Sequence, residues 1–91
     1  MGECKMTLAG VSNETRNEIA EKMNKELRAD RGVFINDFLF VSFRNDLRIT
    51  ASNDSFDFWC DCSLVASIDY DKVEKIEIMC EKYNIKEMRW Q

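Results

Sequence analysis

Four cysteines could give this 91-residue chain metal-binding or thiol chemistry: Cys4, Cys60, Cys62 and Cys80. Thiolates bind zinc, and because the chain has no histidine, a zinc site would need all four thiols or an added carboxylate. Residues two apart in an extended strand lie about 6.5–7 Å apart, so we do not expect Cys60 and Cys62 to form a disulfide with each other. Free cysteines are also among the most buried residue types. Two interpretations therefore stay open, a zinc or small-ligand site and a core lined by thiols.

Two carboxylates flank the same stretch but do not predict catalysis. Asp57 and Asp61 are four residues apart, about 13 Å along a strand, which is too far for the two groups to share a proton. A cysteine or serine nucleophile would lack histidine, the commonest base near neutral pH. We therefore expect a protein that is not an enzyme and that carries no cofactor.

Negative charge is concentrated in the second half of the chain. Residues 52–81 hold eight acids and two lysines, and the net charge of the whole chain is −4. Such a chain does not attract a nucleic-acid backbone, which needs clustered lysine and arginine. It suits a basic protein surface, for instance the nucleic-acid groove of a host protein engaged by a small viral or mobile-element inhibitor. The competing interpretation is that the acids serve solubility and helix capping, as at Asp69 and Asp71.

The length and composition predict a single α+β domain over residues 1–91. The beginning of the sequence lacks the pattern of a secretory signal, and no stretch approaches the roughly 18 apolar residues of a membrane span. We expect a cytoplasmic protein without membrane contact.

Periodicity predicts the elements that must position these residues. Alternation indicates strands at 3–8 and 86–90, and two helices are expected. The first would be capped by Ser12 or Asn13 and ended by a left-handed Gly32, and its buried stripe would be Ile19, Met23 and Leu27, four residues apart, with Ala20 beside them. The second would be capped by Asp69. The apolar stripe of the second helix would be Val73, Ile76, Cys80 and Tyr83. Between the helices, period-two alternation predicts three strands. The order β-α-β-β-β-α-β indicates a two-layer sandwich around a central antiparallel meander, related to the ferredoxin-like arrangement.

The register of the meander follows from matching apolar residues. A three-residue loop at 44–46 pairs Val41 with Ile49 and Leu39 with Ala51, and a four-residue loop at 52–55 pairs Ile49 with Phe58. The inward face is then Leu39, Val41, Phe43, Leu47, Ile49, Ala51, Phe56, Phe58, Cys60, Cys62 and Leu64.

The opposite face of the meander carries more large aromatic residues than a solvated surface usually does. We expect it to bind a partner protein, because aromatic residues and arginine are enriched at interface centres. The alternative is that a helix or a terminal segment covers it. The expected partner-binding residues are Phe38, Phe40, Arg48, Asp57, Trp59 and Asp61.

Overall fold

The chain folds as a small α+β protein, seen in a computed structural model that describes residues 7–41, 46–79 and 85–88. Within these ranges there is one α-helix, α1 (Asn13–Arg28), and seven strands. The strands are β1 (Gly32–Ile35), β2 (Phe38–Phe40), β3 (Leu47–Ala51), β4 (Ser55–Cys60), β5 (Ser63–Asp69), β6 (Ile76–Met79) and β7 (Ile85–Met88). No helix in the described ranges is long and apolar enough to cross a lipid bilayer.

Helix α1 begins where the sequence predicts. Ser12 has extended backbone angles and its hydroxyl accepts a hydrogen bond from the Thr15 amide at 3.2 Å, which satisfies one of the free N–H groups of the first turn. One stripe of the helix is buried, consisting of Ile19, Ala20, Met23 and Leu27. The spacing of this stripe directs one face of the helix to the core.

The helix does not end as predicted at a left-handed Gly32. Asp30 takes the positive φ of 61°, and Gly32 is instead the first residue of β1. A Cβ at Gly32 would lie 2.8 Å from Leu39 Cδ1. Glycine at position 32 is therefore explained by the close approach of the Leu39 side chain. The helix end does not need it, because Asp30 takes the left-handed conformation there and aspartate tolerates that conformation.

The strands form two antiparallel sheets. The first sheet has the order β2-β1-β6-β7, and the second sheet has the order β3-β4-β5. The second sheet follows the predicted register, with Ile49 opposite Phe58, and Ala51 opposite Phe56. The predicted ferredoxin-like order is not confirmed, because the strands divide between two sheets.

The predicted first strand of the meander belongs to the first sheet. A two-residue turn at 36–37 closes β1 onto β2, and Leu39 pairs with Phe34, not with Ala51. Asn36 takes the positive φ that a two-residue hairpin turn requires, and asparagine is among the residues that favour this turn. Leu39 and Val41, expected in the core, are consequently 48% and 41% exposed. Residues 42–45, which include Phe43 and most of the predicted 44–46 loop, lie outside the described ranges.

The second predicted helix is wrong within the described residues. A single 3-10 turn at Tyr70–Lys72 leads into β6, and Asp69 makes no side-chain cap. Ile76 and Ile78, at alternate positions, are buried and pair with β1. The segment is therefore a strand, although the spacing of its apolar residues also fits a helix. The rest of that stripe, Cys80 and Tyr83, lies outside the described ranges.

The predicted terminal strands have different outcomes. Residues 3–6 lie outside the described ranges, and Leu8 starts a 3-10 helix (Leu8–Gly10) and is fully buried. The last strand is confirmed as β7, while Trp90 lies beyond the described residues.

One core joins the helix to both sheets. The helix stripe meets β3 and β1, and the buried apolar side chains form a single cluster. Its members are Leu8, Val11, Ile19, Ala20, Met23, Leu27, Val33, Ile35, Ile49, Phe56, Phe58, Tyr70, Val73, Ile76 and Ile78. Apolar burial in this cluster is the main force that stabilises both sheets.

Asn24 links the helix to the edge of the second sheet. Its Nδ2 donates to the Ile49 carbonyl oxygen at 2.8 Å, and its Oδ1 accepts from the Ile49 amide at 2.8 Å. The side-chain amide thus takes the place of a neighbouring strand at β3. Both backbone groups of Ile49 on this edge are satisfied although a helix covers them.

We expect Asn24→Ala to lower the free energy of unfolding by about 1–3 kcal/mol, because it leaves two partly buried backbone groups unpaired. Urea denaturation measures this change. The exposed neighbour Lys25→Ala is the control and should change stability by less than about 0.5 kcal/mol. Equal effects of the two substitutions would contradict a stabilising role for the Asn24 amide.

Two hairpin turns use a non-glycine residue with positive φ. Asn36 (φ 55°) and Asp61 (φ 56°) each occupy the first position of a two-residue turn. The Asn36 side chain also donates to the Lys72 carbonyl oxygen at 2.7 Å and accepts from the Glu74 amide at 2.8 Å. Asn36 therefore fastens the β1–β2 turn to the segment that leads from the second sheet back to the first.

Glycine substitutions at these two turns distinguish the effect of backbone strain on stability from the effect of side-chain hydrogen bonds. Glycine relieves the positive φ at both positions. We expect Asp61→Gly to leave stability unchanged or to raise it by up to about 1 kcal/mol. Asn36→Gly should lower it by about 1–3 kcal/mol, because the bonds to the 72–75 segment are lost. Thermal unfolding of the pair measures the difference, and similar melting temperatures would contradict the fastening role of Asn36.

Candidate functional site

The two described cysteines lie on the surface, not in the core. Cys60 ends β4 and Cys62 lies in the two-residue turn to β5, and both are exposed free thiols. Alternation predicted that both side chains point into the core. The chain reverses direction at Asp61, so Cys62 lies in the turn and does not continue strand β4.

The structure does not assemble a metal site from the described residues. Within residues 7–41, 46–79 and 85–88, no group of three or more cysteine, aspartate or glutamate side chains is placed to hold a metal ion. Cys4 and Cys80 lie outside these ranges. The four-thiol zinc site therefore stays an untested alternative.

A bulge changes the register of β5 relative to β4. Phe58 faces Ala66 and Trp59 faces Leu64, so Val65 is the extra residue between the two pairs. The bulge turns Leu64 from the predicted core face to the side of Trp59, where it is 54% exposed. Sequence reasoning missed this position. The consecutive apolar pair Leu64-Val65 was the available signal, since two adjacent strand residues cannot both point inward.

Three side chains line up across the second sheet on its outer face. Arg48 on β3 is opposite Trp59 on β4, which in turn is opposite Leu64 on β5. Trp59 is half-buried, and its Nε1 donates a hydrogen bond to Thr50 Oγ1 at 2.9 Å. The indole is therefore fixed in orientation by the neighbouring strand, with Arg48 and Leu64 on either side.

Asp57 lies next to this row, and its carboxylate accepts hydrogen bonds from neighbouring hydroxyl groups. Its Oδ1 accepts hydrogen bonds from Ser55 Oγ and Ser67 Oγ, both at 2.9 Å. The carboxylate lies two positions before Trp59 on the same strand and so on the same face. It brings a fixed negative charge close to the tryptophan.

The structure separates the predicted aromatic face into two parts. Phe38 and Phe40 are on β2 of the first sheet, whereas Trp59 is on the second sheet. Phe40 stacks on the buried Phe58, with ring centroids 4.3 Å apart, and contributes to the core. Phe38 is 68% exposed. The predicted cluster was wrong at these two residues because β2 pairs with β1.

The remaining predicted site residue, Asp61, is exposed in the β4–β5 turn. Arg48, Asp57 and Trp59 are thus brought together, and Asp61 lies at the end of the same hairpin. We call Arg48, Asp57, Trp59 and Leu64 the tryptophan face.

Tyr70 connects the second sheet to the start of α1. Its hydroxyl donates to the Ser52 carbonyl oxygen at 2.6 Å, and the Arg16 guanidinium lies 4.3 Å from the centre of its ring. Burial raises the pKa of Tyr70 above its ordinary value of 10.0; the positive charge of Arg16 opposes this shift, and the carboxylates of Asp57 and Asp54 add to it. Tyr70 is therefore neutral throughout the physiological pH range.

The raised pKa of Tyr70 predicts a loss of stability at high pH. The folded state keeps the proton more tightly than the unfolded chain, so its contribution is complete below pH 10 and is lost as the pH rises through the folded-state value. We expect the melting temperature of the wild-type chain to fall above pH 10. Tyr70→Phe should melt lower at pH 8, because the bond to Ser52 is lost, but should show a shallower fall. Parallel pH profiles would contradict this assignment.

Comparisons with known proteins do not assign a family. No protein-family profile matches this chain, and searches of curated proteins and of solved structures find no significant similarity. The choice of function therefore depends on the chemistry of the surfaces described above.

Proposed function

We propose that this chain is a small non-enzymatic module that binds another protein through the tryptophan face. The observation that carries the proposal is the cross-strand row in which Arg48 and Leu64 flank Trp59. Tryptophan and arginine are the residue types most enriched among those that dominate binding energy. A large apolar residue beside them, 54% exposed, adds area that a partner can cover.

The fixed indole supports binding with little loss of conformational entropy. The hydrogen bond from Trp59 to Thr50 holds the ring before any partner arrives. Immobilising a flexible side chain on association costs about 0.5–1.5 kcal/mol, and this cost is reduced where the side chain is already ordered. The outer face of the second sheet thus presents a preorganised aromatic anchor.

Charge around the anchor favours a basic partner. Asp57 is on the tryptophan face, Asp69 pairs with Ser55 on the same face, and Asp61 lies at the turn. With a net charge of −4 on the chain, these acids steer a positively charged surface toward the sheet. The nucleic-acid groove of a host protein has this chemistry. An inhibitor of viral or mobile-element origin acting in the cytoplasm is the specific form of the proposal.

The same charges support a protein partner over a nucleic acid. Stacking of single-stranded bases on an exposed aromatic residue needs basic residues to hold the phosphates. Here Arg48 is accompanied by Asp57 and, further along the face, by Asp69. Phosphate repulsion from the two carboxylates outweighs attraction to one guanidinium.

We expect Trp59→Ala to reduce partner capture at least tenfold while the fold is retained. Capture is measured by affinity purification of the tagged chain from a lysate of the source organism, with quantitative mass spectrometry of bound proteins. A hot-spot truncation costs about 2 kcal/mol or more, which is the origin of the expected loss. Binding should also weaken as salt concentration rises, because the acids contribute long-range attraction.

Phe38→Ala is the matched control, since it removes an exposed aromatic from the other sheet. It should leave capture unchanged. Circular dichroism and thermal melting establish that both variants are folded. If Trp59→Ala captured the same proteins at the same level, or if it unfolded the chain, the tryptophan face would not be the binding surface.

A further inference from the structure

Strand β2 exposes large apolar side chains on both of its faces. Phe38 pairs with the buried Ile35 and so points to the core side, yet it is 68% exposed. Leu39 points to the opposite side and is 48% exposed, and Val41, next along the chain, is 41% exposed. If this surface bound a helix on one face of the sheet, exposed apolar side chains would be expected on that face only. An edge strand with exposed apolar side chains on both faces presents its outer backbone N–H and C=O groups as a template to which a further strand can pair.

The other described edges of the two sheets are protected against added strands. At β3 the Asn24 amide already occupies the backbone groups of Ile49. At β5 the bulge around Val65 interrupts the ladder. At β7 the sequence places charged residues at Lys86 and Glu87, a common device against edge pairing. Strand β2 has none of these features.

We propose that β2 pairs antiparallel with β2 of a second copy of this chain, so that two four-stranded sheets become one eight-stranded sheet. The edge is complementary to itself, because residues 38–41 carry no charge and are all apolar. A two-fold axis at Leu39 would place Leu39 against its own copy and Phe38 against Phe40. Apolar side chains then meet on both faces of the new pair.

Charge distribution identifies a second copy as an acceptable partner at this edge. The chain is acidic overall, so two copies repel each other through most of their surfaces. The carboxylate nearest to β2 is that of Asp37, in the turn directly before Phe38, and the next along the strand order is Glu77 on β6, with β1 between it and β2. Pairing through β2 therefore brings together the uncharged residues 38–41 of the two copies, and it keeps the two Asp37 carboxylates at opposite ends of the ladder, about 13 Å apart.

Additional apolar surface supports this short strand. On the outer face of the first sheet, a Cβ at Gly32 would meet side-chain atoms of Leu39, Val41 and Met79 within 3.8 Å. These side chains converge around the glycine and extend the apolar area beyond β2 itself. Of these residues, Leu39 and Val41 lie at the edge where a second copy would pair, so the apolar edge extends one residue beyond β2.

The test is the oligomeric state of the full chain, measured by sedimentation equilibrium under reducing conditions from low to high micromolar concentration. We expect a concentration-dependent dimer for the wild type. Leu39→Lys places two ammonium groups close to the two-fold axis and should raise the dissociation constant at least tenfold. Val65→Lys, at a position 57% exposed on the edge of the other sheet, is the control and should dimerise as the wild type does.

Two results would overturn the proposal. One is a wild-type chain that is monomeric at the highest concentration, and the other is a dimer that Val65→Lys disrupts as strongly as Leu39→Lys. Circular dichroism checks that each variant is folded. If Leu39→Lys does not fold, Phe38→Lys replaces it, because that side chain is more exposed. The outcome is independent of partner capture, since the tryptophan face lies on the other sheet.

Discussion

The bidentate contact between Asn24 and the backbone of Ile49 is the interaction on which the arrangement of helix and sheets depends. Apolar burial draws the stripe of α1 onto the sheets, but such burial has no direction and allows the helix to slide. Two hydrogen bonds from one side chain to one residue fix the position of the helix along β3. The same contact ends the second sheet on that side, because the backbone groups that a further strand would use are occupied.

The parts of the fold that the sequence predicts are those set by local patterns. The Ser12 cap and the four-residue spacing of the α1 stripe are properties of one segment, and both are confirmed. The register of Ile49 opposite Phe58 follows from alternation across a short loop, and it is confirmed as well. Each of these features depends only on the pattern of one segment or of two strands joined by a short loop.

The misplaced parts depend on choices that alternation does not encode. A period of two predicts that β2 is a strand but does not say whether β1 or β3 is its partner. Residues 73–78 fit a helical stripe and a strand equally well, and pairing of β6 with β1 decides between them. At the candidate site, Arg48, Asp57 and Trp59 were predicted on one face. Leu64 was not, because the only sign of the bulge in the sequence is the pair of adjacent apolar residues Leu64-Val65.

The Asn36 contact to the 72–75 segment has a consequence for how the chain folds. The second sheet, residues 47–69, is inserted between the two halves of the first sheet, and β1 pairs with β6 across this insertion. The β3–β4–β5 meander can form from near neighbours, whereas the β1–β6 ladder must first close a loop of about 40 residues. Asn36 joins the two ends of that loop, so its contacts stabilise the ladder whose formation costs the most loop-closure entropy.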